Sequence, residues 1–289
     1  MVSVCLATYN AEKFITATLE SIRCQTYTDF EVIIVDDHST DNTVNIILDF
    51  CLKDSRFKLF LNCTEEKYSD AHNLSYKYAI GKYLFRIDDD DIYEPDYIGK
   101  VVEYMNKYQL DACSLSQDFY EYDGLLLIKP SDMSPDEYFT DATEFNIEPV
   151  EYYYKCCYFG KGYQHWHNNT SCLRKSFYDT HNVKYVGFGG GDGIFWAGVF
   201  TQGAKSKKIT DIKVHKVKTK ANTVFTKEYN TIDDISQYYS TKYYLSYFSN
   251  KFDKDTDIVN LPVLKNTFNY FKNKLKELGV YDTLPEEDK

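Results

Sequence analysis

The first hundred residues alternate short apolar runs with segments whose apolar residues recur at helical spacing. The runs that predict strands are 2–7, 30–35, 57–61 and 83–87. The segments that predict helices are 11–25, 41–53 and 70–80. In the first of these helices Ile15, Leu19 and Ile22 share one face. Strand and helix in this rhythm predict a mainly parallel α/β sheet with helices on both faces.

Polar and acidic residues directly follow three of the predicted strands. Thr8 and Tyr9 follow the first strand, Asp37 lies at the end of the second, and four aspartates, 88–91, follow the fourth. In open parallel sheets, ligands bind outside the carboxyl ends of the strands. Packed carboxylates repel one another, and a hard divalent cation relieves that repulsion. The pattern predicts a metal site for a phosphorylated or nucleotide-linked ligand.

The second half of the chain has a looser pattern. Residues 117–170 are rich in aromatic and acidic side chains and predict long loops with a few mixed strands. A helix is predicted to begin near Ile194, after the glycines at 189–191. From 228 onward the chain is predicted to be helical, with one long apolar stripe. The residues of this stripe are Leu264, Phe268, Phe271, Leu275 and Leu278.

The stripe of the C-terminal helices predicts packing against the main domain. A homodimer contact and peripheral attachment to a membrane surface remain alternatives, because lysines lie beside the stripe.

Composition excludes several classes of protein. The net charge of -11 argues against broad nucleic-acid binding. No apolar run is long enough to span a membrane, and the chain starts with a strand rather than a basic leader. We therefore expect a cytoplasmic protein, with any membrane contact peripheral. Its eight cysteines form no C-x-x-C pair, which predicts buried thiols rather than a zinc site.

Four segments in this order resemble the family 2 glycosyltransferases, which have the GT-A fold. They are VSVCLATYN at 2–10, SIRCQTY with FEVIIVDDHSTD at 21–41, AIGKYLFRIDDDD at 79–91, and Gly191-Asp192 before an aromatic helix. Together they cover roughly residues 1 to 205. The resemblance implies a Rossmann-like GT-A domain over 1–227, with a nucleotide-binding half (1–105) and an acceptor-binding half (106–227). Residues 228–289 would be a C-terminal helical extension.

The resemblance also assigns roles to the residues that would bind the nucleotide. Tyr9, beside Thr8, would stack on the base, and Asp37 would accept a hydrogen bond from it. Uracil suits an aspartate because its ring N–H is a donor, although thymine presents the same group. UDP is therefore the expected nucleotide.

The aspartates would take different roles under the same resemblance. Asp88 and Asp90 are the outer members of the family's D-x-D motif, with Asp90 as the direct ligand of Mn²⁺ or Mg²⁺. Asp88 and Asp89 would hold metal-bound waters or the ribose. Asp91 is expected to be solvated or to cap the next turn. Asp192 matches the family's catalytic base.

These roles imply a metal-dependent, inverting glycosyltransferase. It would move a sugar from a UDP-sugar to a hydroxyl of a carbohydrate or glycosylated acceptor, in glycan or polysaccharide assembly. A single carboxylate base, opposite the leaving diphosphate, predicts one displacement with inversion. The Q-x-x-R-W motif and membrane helices of processive relatives are absent from the sequence, which favours single additions.

Two positions depart from the family's pattern. Many relatives carry an arginine, aimed at the diphosphate, where this chain has His72. Histidine can still donate a hydrogen bond, but it is charged only below about pH 6.5 unless its pKa is raised. The base motif, commonly Glu-Asp, is here Gly191-Asp192.

Further candidates lie in the second half. A lysine-rich segment at 205–227 could fold over the diphosphate, with His215, Lys216 and Lys218 as phosphate or metal contacts. A solvated surface strand is the alternative interpretation. His165 and Trp166, with Gly191, are candidates for the acceptor site, since tryptophan stacks on sugar faces. A core tryptophan explains Trp166 equally well.

Other functions fit the sequence less well. An EF-hand is excluded because Tyr93 stands where its loop requires glycine. A dinucleotide-dependent oxidoreductase would need a G-x-G-x-x-G after the first strand. A sugar nucleotidyltransferase would need a glycine-rich loop, and 8–14 contains no glycine. A non-catalytic nucleotide-sugar or glycan-binding relative remains open; it would keep Asp37 and Asp90 and tolerate loss of Asp192.

Overall fold

A computed structural model gives the fold of the chain. It describes residues 1–63, 69–122, 127–130, 171–181, 183–185, 191–218, 238–239, 241–242, 245–246, 249, 261–284 and 286.

The first half of the chain is a βα repeat, as predicted. Its strands are β1 (Val2–Thr8), β2 (Phe30–Asp36), β3 (Phe57–Leu61) and β4 (Tyr83–Ile87). Its helices are α1 (Ile15–Arg23), α2 (Thr43–Lys53), α3 (Ser69–Tyr78) and α4 (Tyr97–Lys107). The four strands pair in parallel in the order β3-β2-β1-β4. Every residue of β1, β2 and β4 is buried, which explains why these strands are apolar with few interruptions.

The second half adds mixed strands to the same sheet. They are β5 (Ile92–Tyr93), β6 (Ala112–Tyr122), β7 (Leu127–Pro130), β8 (Ser171–Arg174) and β9 (Ser206–Lys218). Strand β8 lies antiparallel between β4 and β6, β6 and β9 run parallel, and β5 pairs antiparallel with β9. The described strands run in the order β3-β2-β1-β4-β8-β6-β9-β5, with β7 beside β6. The predicted mainly parallel sheet flanked by helices is confirmed.

The remaining helices are α5 (Lys175–His181), α6 (Gly191–Thr201) and α7 (Leu261–Glu277), followed by a 3₁₀ turn at Tyr281–Thr283. Helix α6 begins at Gly191, three residues before the predicted start. Helix α4 was not predicted, although its buried residues Tyr97, Ile98, Val101 and Met105 have helical spacing. Within the described residues, every helix is too short or too polar to cross a lipid bilayer.

Two hydrophobic layers cover the sheet. One joins α1, α2 and α4 to one face, with Leu19, Val101 and Met105 at its centre. The other joins α3, α5 and α6 to the opposite face, with Tyr76, Phe195 and Trp196 fully or almost fully buried. Three residues of the C-terminal stripe, Phe268, Phe271 and Leu275, belong to a third cluster with Tyr238, Tyr239 and Tyr281. The Leu264 side chain lies outside the described residues. Leu278, predicted as part of the stripe, is half exposed.

A buried carboxylate joins the amino ends of the strands. Glu31 accepts hydrogen bonds from Ser3 Oγ at 2.6 Å, the Ile80 amide at 2.8 Å and Lys58 Nζ at 2.8 Å. Gly81 approaches the same place so closely that a Cβ there would lie 2.5 Å from the Ser3 nitrogen. The sequence predicts Gly81 as a helix end, but its requirement for glycine comes from the close contact of the loop after α3 with β1.

Candidate active site at the carboxyl edge of the sheet

The loops that follow β1 and β2 form one rim. The Asp37 amide donates to the Thr8 carbonyl at 2.8 Å. The Asn10 amide donates to Ser39 Oγ at 2.9 Å, and the Thr40 amide donates to Asn10 Oδ1 at 2.8 Å. Because these contacts cross between the loops, the residues that end both strands are held in fixed relative positions.

Tyr9 and Asp37 lie on this rim with opposite exposure. The Tyr9 side chain is 56% exposed, so its ring is available to a ligand. Asp37 is 7% exposed, and its Oδ1 accepts a hydrogen bond from Asn62 Nδ2 at 2.9 Å. Asn62 follows β3 directly, and its pattern alone did not single it out. Its place after a parallel strand is the signal that could have identified it.

Asp89 connects the aspartate segment to the end of β1. Its Oδ2 accepts hydrogen bonds from Thr8 Oγ1 at 2.7 Å and from the Tyr9 amide at 3.4 Å. Burial and the neighbouring charge of Asp90 raise the pKa of Asp89 to about 7, against the opposing effect of the Thr8 hydrogen bond. The described contacts of Asp89 therefore link it to the rim formed by the loops after β1 and β2.

The other three aspartates form a cluster with the geometry of a cation site. One carboxylate oxygen from each of Asp88, Asp90 and Asp91 lies within 4.8 Å of the others. Such oxygens are the hard ligands that Mg²⁺ and Mn²⁺ prefer, so the residues fit the expected metal.

The expectation that Asp91 is solvated is wrong, because its side chain is fully buried. The reason is that β5 begins at the next residue and pairs with β9, which draws Asp91 into the sheet. Burial, with the charge of Asp91 as the next contribution, raises the pKa of Tyr93 well above its ordinary value.

A buried arginine lies behind the cluster. Arg86, on β4, places Nη1 3.3 Å from Asp88 Oδ1 and Nη2 3.4 Å from His72 Nε2. Arg86 and His72 are each 1% exposed. Burial, together with the charge of Arg86, lowers the pKa of His72 well below its ordinary value, so the imidazole is neutral at pH 7. His72 therefore brings no positive charge to the site. Among the described residues, the positive charge beside it comes from the Arg86 guanidinium.

The candidate base belongs to the first turn of α6. Gly191 and Asp192 are the first two residues of this helix. The Asp192 side chain lies outside the described part of the chain. Phe195 and Trp196, one turn further on, are fully buried and anchor the helix on the sheet.

His215 is placed next to the aspartates by the sheet. It pairs with Ile92 in the antiparallel β5–β9 ladder, one residue after Asp91. Its Nε2 lies 2.5 Å from Glu94 Oε1. The Lys216 and Lys218 side chains, and the whole of His165 and Trp166, lie outside the described residues.

Comparison with known proteins assigns the family. The model of glycosyl transferase family 2 matches residues 3–170, more than half of the chain. The chain belongs to glycosyl transferase family 2. The first three of the four motifs coincide with this match, whereas Gly191-Asp192 lies beyond it.

Two curated relatives resemble this family 2 chain over part of their length. It is 40% identical over 93 residues to the UDP-Glc:alpha-D-GlcNAc-diphosphoundecaprenol beta-1,3-glucosyltransferase WfgD of Escherichia coli, covering 32% of this chain and 36% of that protein. It is 32% identical over 123 residues to the glycosyltransferase GlyG of Streptococcus pneumoniae, covering 43% of this chain and 40% of that protein. The match therefore spans less than half the length of these relatives.

Solved structures share the fold of this family 2 chain. TarS 1-349 of S. aureus, in complex with UDP-GlcNAc, has a TM-score of 0.65 at 17% identity, covering 95% of this chain and 72% of that one. The mannosyltransferase PcManGT of Pyrobaculum calidifontis, in complex with GDP-Man and Mn²⁺, has a TM-score of 0.55 at 14% identity, covering 95% and 74%. The predicted GT-A fold is confirmed.

Proposed function

We propose that this family 2 protein is an inverting, metal-dependent glycosyltransferase that transfers a sugar from a UDP-sugar to an acceptor hydroxyl. The observation that carries the proposal is the meeting of three features at one edge of the sheet. These are the exposed ring of Tyr9, the buried carboxylate of Asp37 and the cluster of Asp88, Asp90 and Asp91. Together they suit the base, ring N–H and diphosphate of one nucleotide.

Each residue of the rim has a distinct part in binding the donor. Tyr9 stacks on the base, and Asp37, held by Asn62, accepts the hydrogen bond of the uracil ring N–H. Asp89, with Thr8, lies between the base site and the metal cluster and suits the ribose. The name of WfgD includes UDP-Glc, and TarS was solved with UDP-GlcNAc, which supports UDP as the nucleotide.

Asp88 and Asp90, with Asp90 as the direct ligand and Asp91 behind them, would hold Mn²⁺ or Mg²⁺. When bound, the cation stabilises the negative charge of the leaving diphosphate. The GDP-Man and Mn²⁺ complex of PcManGT is consistent with this cofactor. His215, Lys216 and Lys218, on the strand paired with β5, are the further phosphate contacts that we propose.

Asp192 acts as the general base of the transfer. It accepts the proton of the acceptor hydroxyl while the oxygen attacks the anomeric carbon and the bond to the diphosphate oxygen breaks. Attack opposite the leaving group inverts the anomeric centre, and one carboxylate suffices. Gly191, His165 and Trp166 are proposed to line the acceptor site.

We assign residues 1–105 to donor binding, 106–227 to acceptor binding and 228–289 to a helical extension. The cysteines of the described residues are free thiols, which suits a reducing compartment, and we propose a cytoplasmic enzyme. The acceptor is a carbohydrate or a glycosylated carrier in glycan assembly.

A donor screen tests the proposal. Purified protein is incubated with UDP-glucose, UDP-N-acetylglucosamine and GDP-mannose, with Mn²⁺ or with chelator, and release of free nucleotide is measured with and without an acceptor panel. We expect release from a UDP-sugar with Mn²⁺ and its loss in chelator. UDP binding without release from any donor would support a non-catalytic relative, and full activity in chelator would disprove the metal role.

A further inference from the structure

The backbone of Tyr185 is held on both sides by one side chain. Asn73 Nδ2 donates to the Tyr185 carbonyl at 2.8 Å, and the Tyr185 amide donates to Asn73 Oδ1 at 2.8 Å. The two residues are 112 positions apart in sequence. Asn73 belongs to α3, and Tyr185 precedes α6. Helix α3 therefore binds the backbone of Tyr185 through two hydrogen bonds, as a neighbouring strand would in a β-sheet.

The ring of Tyr185 packs directly on the beginning of α6. It is stacked on Phe195, with ring centroids 4.2 Å apart and planes 6° from parallel. Tyr185 is 3% exposed and Phe195 is fully buried, so the pair has little room to move. Phe195 lies three residues after Asp192 in the same helix. The stack therefore fixes the turn of backbone that carries Asp192.

The same ring faces the residues behind the aspartate cluster. Its centroid lies 5.0 Å from that of His72 and 5.9 Å from Arg86 Cζ. Arg86 in turn lies 3.3 Å from Asp88. One aromatic side chain thus stands between Asp88, on the metal side, and the helix of Asp192.

We propose that Tyr185, held by Asn73, is a positioning residue that sets the place of α6 relative to the aspartate cluster. The inference rests on the proposed roles of Asp192 and Asp88. A base that must meet an acceptor hydroxyl opposite the leaving diphosphate needs a fixed distance from the metal site. A displacement of about 1 Å in such a geometry costs roughly 100-fold in rate. Neither residue touches the donor in this role.

Amide hydrogen exchange tests whether Asn73 and Tyr185 hold α6 in place, without any measurement of activity. Asn73→Ala removes both hydrogen bonds, and Tyr185→Leu removes the stack on Phe195. We expect faster exchange in α6 for both variants, with unchanged protection in β1 and β2. The matched control is Met105→Ala, a buried change in α4 on the other face of the sheet. Unchanged exchange in α6 of Asn73→Ala would overturn the proposal.

Kinetics with the donor identified in the screen separate positioning from general loss of structure. For Asn73→Ala and Tyr185→Leu we expect a kcat reduced about 10- to 100-fold, while the Kd for UDP with Mn²⁺ changes less than about threefold. Tyr185→Phe, which keeps the ring, should recover most of the kcat that Tyr185→Leu loses. Met105→Ala should keep the wild-type kcat per folded molecule. Parallel loss of kcat and UDP affinity in the Asn73 variant would indicate a purely structural role and overturn the proposal.

The two proposals fail in different ways. If the wild-type protein releases no nucleotide from any donor, the proposed function is wrong, and the exchange experiment still decides whether Asn73 and Tyr185 hold α6. If the wild-type protein is active and the variants keep its kcat, the positioning role of Asn73 and Tyr185 is wrong and the proposed function stands.

Discussion

Arg86 forms an ion pair with Asp88, a member of the aspartate cluster, with 3.3 Å between Nη1 and Oδ1. Arg86 is 1% exposed, whereas the side chain of Asp88 is 21% exposed. The buried guanidinium of Arg86 is therefore paired with a carboxylate that is also partly exposed at the candidate metal site. Arg86 holds Asp88 from behind and leaves its carboxylate within the cluster of possible metal ligands.

Removal of this arginine should destabilise the fold. Breaking a buried ion pair by deleting one partner costs about 3 kcal/mol or more, and the partial exposure of Asp88 places the expected value near that lower figure. Urea unfolding of Arg86→Met at pH 7 measures it. In a double-mutant cycle with Asp88→Asn, additive free energies would show that the pair contributes nothing, contrary to our expectation.

Asp90→Asn should abolish stabilisation by the cation. At a free Mn²⁺ concentration 100-fold above its Kd, a protein that binds the ion only when folded gains about 2.7 kcal/mol. Thermal unfolding with and without Mn²⁺ and UDP should show this gain in the wild type and its loss in Asp90→Asn. Asp96→Asn is the control, because it removes the same charge from a half-exposed residue that pairs with Lys100. Equal Mn²⁺ shifts in both variants would contradict the assignment.

Asp192→Asn should lower turnover and leave donor binding intact. A positioned general base contributes about 100- to 10,000-fold to the rate, and the amide cannot accept the proton. We expect kcat to fall within that range while the Kd for UDP stays within about threefold, as measured by calorimetry. Asp179→Asn, an exposed carboxylate that pairs with Lys175 on α5, serves as the control. Retention of turnover within a few-fold would place the base elsewhere.

Asn62→Ala should weaken nucleotide binding through Asp37. The lost hydrogen bond of 2.9 Å helps to hold the carboxylate that we expect to meet the uracil ring. A loss of about 1.4 kcal/mol, typical of one such bond, corresponds to a tenfold higher Kd for UDP. Asn45→Ala removes a comparable bond, to Asn42, from the exposed side of α2. If both variants bind UDP like the wild type, Asn62 does not orient Asp37.

Glu31 should make the stability of the fold sensitive to acid. Burial alone would raise the pKa of Glu31, but hydrogen bonds from Lys58, Ser3 and the Ile80 amide outweigh it and hold this pKa below its ordinary value. For a lowered pKa the contribution is present above the ordinary value of about 4.3 and is lost as the pH falls through the lowered value.

The measurement is the free energy of unfolding against pH for the wild type and Glu31→Gln. The wild type should be the more stable at pH 7, and the difference should shrink below about pH 4.3. A difference that stays constant down to pH 3 would mean that ionised Glu31 contributes nothing to the fold.

Local patterns were sufficient for the parallel half of the fold. Strands β1, β2 and β4 are apolar throughout because both faces of the sheet are covered, and their periodicity differs from that of the helices between them. Since parallel strands end at a common edge, the sequence also predicted that Tyr9, Asp37 and the aspartates lie near one another. Helix α4 was missed although its buried residues have helical spacing, and the start of α6 was placed three residues too late.

The sequence by itself determined the fold class, the family and the edge of the sheet at which the polar residues meet. Tertiary structure alone decided which aspartates share one place, the burial of Asp91, and the neutral state of His72 beside Arg86. It also decided the contacts of Asn62 with Asp37 and of Asn73 with Tyr185. The physical reason is distance along the chain: periodicity reports each residue's own element, whereas burial, ion pairing and pKa depend on partners that only packing brings within a few ångströms.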